Sequence, residues 1–176
     1  MSSALVIVDV QQGMFGLSLP LYRSKEVVER IAGPIGRARA ERIPIFHVQH
    51  AGGPGHPLAK GSPGWLPHPA VAPAPGEPII EKRRHSAFHD TDFHARLKER
   101  GIVRLIIAGM QTEMCVDSTC RHAVTLGYCV VLVSDAHSTF DSTVLPATSI
   151  IAHHNQTLGD GFAVLCAAAD IRFGAD

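Results

Sequence analysis

Short apolar runs alternate along this chain with longer stretches whose apolar residues recur at helical spacing. Six runs read as strands, at residues 4–8, 44–49, 78–81, 104–108, 128–134 and 162–167. ALVIV and RLIIAG show almost no polar alternation, as expected of strands buried on both faces. Four helix candidates lie between them, at 25–41, 91–100, 113–126 and 143–156. This alternation predicts an α/β fold: a single doubly wound domain over residues 1–176, with a mainly parallel six-stranded sheet and helices on both faces. Gly101 and Gly127 suit the ends of the second and third helices. Asp90 or Thr91 is placed to cap the second, and Ser142 the fourth. Gly33-Pro34 falls inside the first helix, where the ring removes a hydrogen bond, so a restart or kink is expected.

Residues 51–76 break the pattern. They are rich in Gly, Pro and Ala, with Trp65 in GSPGW. A loop of this length inside a compact domain is usually functional, and Trp65 is expected to form a pocket wall.

Composition narrows the classes of function. The chain has 176 residues, 45% of them hydrophobic, enough for one sizeable core. Lys plus Arg and Asp plus Glu are both 16, so net charge points to neither nucleic acid nor an anionic membrane as partner. Within Lys82-Arg83-Arg84, the two arginines read as a solvated edge. No apolar run approaches a membrane span. The first run is cut by Asp9 and has no basic region before it, unlike a signal peptide. None of the four cysteines forms a C-x-x-C pair. Cys129 and Cys166 fall in apolar strands and are expected to be core thiols. Reduced thiols and a cytoplasmic location are the simplest expectation.

Candidate chemistry begins at Cys115. It lies in GMQTEMC, after a predicted strand and in the first turn of a predicted helix. A thiol there meets the positive end of the helix dipole, which favours thiolate, and free N–H groups point at the same spot. Cys120 is roughly 140° further around such a helix, a poor resolving partner. Asp9 ends the first strand, at the sheet edge where open α/β folds bind ligands. Lys82 ends PIIEK. An acid, an amine and a thiol, each at the end of a separate strand, can converge on one cleft. Asp9 would take the thiol proton, Lys82 would hold negative charge, and Cys115 would attack a carbonyl.

Three motifs carry a family resemblance: VIVDVQQGMF, Lys82 followed by Ser86-Ala87-Phe88, and GMQTEMCVD. With GSPGW and VVLVSDAHSTFDS they make the chain resemble the isochorismatase-like cysteine hydrolases, in particular an amidohydrolase-type branch related to nicotinamidases. The resemblance runs from residue 4 to about residue 168. It implies a catalytic triad of Asp9, Lys82 and Cys115, and a cis peptide at Met110–Gln111. It also implies an oxyanion hole built from the N–H groups of Gln111 and Cys115. The reaction implied is hydrolysis of a C–N amide bond of a small molecule through a thioester, with Asp9 returning its proton to the leaving amine. Self-association into a homo-oligomer is common in such relatives. Phe15, Trp65, Phe88 and Met114 are candidate pocket walls, although Phe15 and Phe88 could equally pack in the core.

Eleven histidines raise the question of a metal. His50, His56 and His68 are the best candidates. Between His47 and Gly76, however, there is no Asp or Glu. In metal-dependent nicotinamidases an Asp-x-His motif stands in this region; here Gln49 and His50 occupy it. No metal and no other cofactor are therefore expected. His137 competes as a partner for Cys115, but lacks the family match, and is expected to bind loop backbone or line the cleft. Two rival functions remain. One is isochorismatase-type vinyl-ether hydrolysis, which needs no cysteine nucleophile. The other is a redox or interaction role on the same fold, which would not need all three of Asp9, Lys82 and Cys115.

Overall fold

The computed structural model describes residues 2–174. Its elements, in chain order, are β1 (Ser3–Val8), α1 (Ser24–Ala40), β2 (Ile45–His50), β3 (Ile79–Lys82), α2 (Phe93–Glu99), β4 (Arg104–Met110), α3 (Asp117–Thr125), β5 (Cys129–Ser138), α4 (Ala147–Gly161) and β6 (Val164–Cys166). The strands form one six-stranded sheet in the order β3-β2-β1-β4-β5-β6, with every neighbouring pair parallel. The chain winds outward from β1 to β3, then returns to pair β4 against the other side of β1. The carboxyl ends of β1 and β4 therefore flank the switch point, where such sheets leave a crevice.

Side chains alternate across the sheet, so each central strand feeds two cores. Leu5 and Ile7 of β1 join Ile106 and Ala108 of β4 beneath α1. Ala4, Val6 and Val8 join Leu105 and Ile107 on the opposite face. There they meet Leu97 of α2, Ala123 of α3 and Leu158 of α4. This two-sided burial is why ALVIV carries no polar alternation.

Helix α1 runs unbroken through Pro34, contrary to the restart or kink expected there. Val27, Val28, Ile31 and Ile35 are all buried against the sheet. At about 1.5–3 kcal/mol for each buried side chain, this face outweighs the roughly 3 kcal/mol that an interior proline costs. The N-cap of α2 is Asp92, without a side-chain cap, rather than the expected Asp90 or Thr91, although Thr91 Oγ1 accepts the Phe93 N–H at 3.4 Å. The fourth cap differs from expectation. Helix α4 starts at Ala147, whose N–H is taken by Asp141 at 2.8 Å. Ser142 instead closes a turn with the N–H groups of Val144 and Leu145. Two cysteines are also placed differently. Cys129 is exposed at the start of β5, and Cys166 is only partly buried, in the short edge strand β6.

Gly109 shapes the end of β4. Its φ is +131°, and a Cβ there would lie 2.1 Å from the Val8 carbonyl oxygen. Only glycine allows β4 to run this close to β1, at the point where the β4–β5 register also shifts.

Candidate active site

Asp9 follows directly after β1 with φ at +50°, the left-handed conformation that Asp tolerates better than most residues. Its N–H still bonds to Val48 at 3.0 Å, so the strand ladder ends there and the carboxylate turns off the sheet. Lys82 is the last residue of edge strand β3, paired with His50 of β2. Its side chain is fully buried and reaches back over the sheet. The ammonium donates to Asp9 Oδ2 at 2.6 Å and to Cys115 Sγ at 3.2 Å. Residues 73 and 33 positions apart thus meet through one amine. Asp9 Oδ1 is buried and meets no donor among the described residues, so its lone pairs are open to the thiol proton.

The turn that carries Cys115 departs from the expected helix start. Thr112–Val116 is wound as a π-helical turn, and α3 begins only at Asp117. The peptide bond Met110–Gln111 is cis. The turn is held from β5: Thr112 and His137 Nδ1 are 2.9 Å apart, and His137 Nε2 lies 2.9 Å from Asn155 of α4. Burial pushes the His137 ring down to about 4, so it is neutral at pH 7. A neutral ring has one acceptor and one donor; the Thr112 hydroxyl fills the first and Asn155 Oδ1 the second. His137 therefore orients the turn and does not line the cleft beside Cys115.

Cys115 does not rest as the thiolate expected at a helix start. Burial first, then the Asp9 charge, push its thiol up to about 12, against the opposing pull of Lys82. Desolvation of the buried sulfur is the largest cause, and it outweighs the pull toward thiolate expected at a helix start.

Asp9 and Cys115 open onto a cavity of about 410 Å³. Gln111 and Met114 line it, together with Met14, Leu17, Leu58 and Phe140. His50, His56 and His85 add polar edges. Three expected wall residues lie elsewhere. Phe15 is half-buried with its ring 4.6 Å from that of His68. Phe88 stacks on Phe93 and Tyr128 in the core between α2 and α3. Trp65 presents its backbone, not its indole: its carbonyl accepts the side-chain amides of Gln11 and Gln49, at 2.8 and 2.9 Å. Those two buried glutamines fasten the 51–76 loop onto the strand ends. Gln49 thus serves as a loop anchor. Among the described residues, no group of three or more His, Cys, Asp or Glu is placed to hold a metal ion.

His85 and the wall residues Met14, Leu17, Leu58 and Phe140 escaped sequence reasoning. Met14 sits in the motif that marks Asp9, and His85 follows Lys82 by three positions, so proximity in sequence was the available signal.

Residues 3–154 match the isochorismatase domain family. The chain belongs to the isochorismatase family. A streptothricin hydrolase of Streptomyces noursei is 35% identical, over 98% of this chain and 65% of that protein. A ureidoacrylate amidohydrolase of Methylobacterium radiotolerans is 30% identical, over 75% of this chain and 65% of that protein. The chain thus spans about 65% of the length of each of these two relatives. Among solved structures, an isochorismatase from Pseudomonas putida superposes with a TM-score of 0.90 at 32% identity, covering 96% of this chain and 89% of that one.

Proposed function

We propose that the protein is a cysteine-dependent hydrolase that cleaves a C–N amide bond of a small molecule through a thioester. The observation that carries this reading is the single buried ammonium of Lys82, held 2.6 Å from Asp9 and 3.2 Å from Cys115, the two residues that open onto the cavity. A buried carboxylate with an open oxygen, beside a thiol that is protonated at rest, is a general base next to its nucleophile. As the substrate carbonyl approaches, Asp9 takes the thiol proton and sulfur attacks. Lys82 keeps the pair of acids charge-balanced throughout. The N–H groups of Gln111 and Cys115 are the proposed donors to the tetrahedral oxyanion. The apolar wall of Met14, Leu58, Met114 and Phe140 suits the acyl portion of the substrate.

The hydrolase and amidohydrolase names of the relatives support the same class of reaction. The test is a screen of primary amides, lactams and N-carbamoyl compounds, with Cys115→Ala as control. Turnover by the wild type, loss of it in Cys115→Ala, and a mass increment of the acyl group on Cys115 are expected. Wild-type rates in Cys115→Ala would refute the covalent mechanism.

A further inference from the structure

Every methionine past the first residue lines the cavity onto which Asp9 and Cys115 open. These are Met14, Met110 and Met114, joined there by Leu17, Leu19 and Phe140. Three of the six leave apolar surface open: Leu17 is 37% exposed, Leu19 45% and Met114 41%. Exposed apolar surface gathered at a concave site marks a place for a ligand that covers it. Thioethers are unbranched and polarisable, and they pack against hydrocarbon of varied shape.

The same cavity is poor in positive charge. Among the described residues, no lysine or arginine lines it. The Lys82 ammonium is engaged by Asp9 and Cys115. The polar edge consists of His50, His56 and His85. His50 has a pKa lowered by burial and then by the Lys82 charge. His56 Nδ1 accepts the Leu58 N–H at 3.0 Å, a bond open only to the neutral ring. The Asp9 carboxylate lines the cavity too. An anionic group buried here would meet a like charge and no fixed cation, a costly arrangement.

We propose that the site selects amides whose acyl group is an uncharged hydrocarbon, and rejects acyl groups that carry a carboxylate. This names a substrate class for the hydrolase reading above and rests on that reading. Met110 and Met114 flank Gln111 and Cys115 in the chain, whose N–H groups are the proposed oxyanion donors. The nitrogen of the scissile bond belongs on the Asp9 side, because Asp9 returns its proton there. The other substituent of the carbonyl carbon is left to the methionine and leucine wall.

The experiment measures binding first, on Cys115→Ala, so that no probe is consumed. The probes are butanamide, pentanamide and hexanamide, and a pair of one shape, 4-methylpentanamide and succinamate. The measurement is made at about pH 8.5, where a free imidazole is uncharged. Methionine methyl resonances, assigned with Met14→Leu, Met110→Leu and Met114→Leu, report occupancy. The dissociation constant should fall about fourfold per methylene from butanamide to hexanamide. Succinamate should bind on the order of 10²-fold more weakly than 4-methylpentanamide. Leu17→Asp, a change at an exposed position, should flatten the series. A series already flat without that change would overturn the proposal. So would succinamate bound as tightly as its isostere, or binding that leaves all three methionine signals in place. Wild-type kcat/KM for the same amides separates this proposal from the reading beneath it. Turnover that ignores chain length and charge overturns the selectivity and leaves the hydrolase intact. Ordered binding upholds the pocket even if none of these amides is turned over, a result that would count against the amidase reading alone.

Discussion

In the proposed mechanism Cys115 is a nucleophile made on demand. Its thiol sits near 12 because burial and the Asp9 carboxylate both disfavour thiolate, while Lys82 opposes them. This arrangement yields a prediction in which two properties move in opposite directions. In Asp9→Asn the second cause of the raised value disappears and Lys82 loses its competing partner, so the thiol pKa falls below about 12. Turnover nonetheless drops, on the order of 10²–10⁴-fold, because no base takes the proton in the encounter. The pH dependence of Cys115 alkylation, read by peptide mass, reports the first change and kcat/KM the second. A variant thiol that titrates at or above the wild-type value would contradict this electrostatic account.

At the scale of elements, three segments converge on the turn that carries Cys115. Strand β4 delivers it, β5 supplies His137, and α4 supplies Asn155. His137 is 3% exposed, and its pKa is lowered from 6.5 to about 4 by burial. The unfolded chain therefore binds this proton more readily than the folded one. Stability from this residue is full above about pH 6.5 and is lost as pH falls toward about 4, a loss of about 3 kcal/mol. Chemical denaturation at about pH 7 and about pH 4.5 should show that slope in the wild type. In His137→Gln, which keeps a donor and an acceptor, it should be largely gone. His47 also has a lowered pKa from burial, but it is present in both proteins, so the difference isolates His137. Glu77, held near 2 by Arg39, its own loop backbone and His47, loses its contribution only at lower pH. Equal acid slopes in the two proteins would rule out this role for His137.

For the molecule as a whole, the sheet order decides where chemistry can occur. Asp9 and Cys115 leave β1 and β4 at the switch point, and Lys82 reaches them from two strands away. No described helix is long and apolar enough to cross a membrane. The histidine-rich loop folds over this edge without gathering its rings around a point. His50 and His56 stand 5.2 Å apart, while His68 packs on Phe15. Dialysis against a strong chelator is therefore expected to leave hydrolysis at full rate. Stoichiometric zinc in the purified protein, removed together with activity and restored with it, would reverse that expectation.

The fold class was legible in the chain because parallel strands buried on both faces must be continuously apolar, and ALVIV and RLIIAG satisfy that condition locally. The same local reasoning located Asp9, Lys82 and Cys115 as polar residues at strand ends, and family resemblance joined them. What it could not reach depends on contacts between distant segments. Burial of one face carried α1 through Pro34, and a cluster of aromatic rings drew Phe88 into the core. Trp65 turned out to contribute a carbonyl because Gln11, from the segment after β1, and Gln49, from β2, come together to hold it. The state of the Cys115 thiol followed the same rule. A helix start is written in sequence, but desolvation and the distance to Asp9 exist only once the sheet has closed around them.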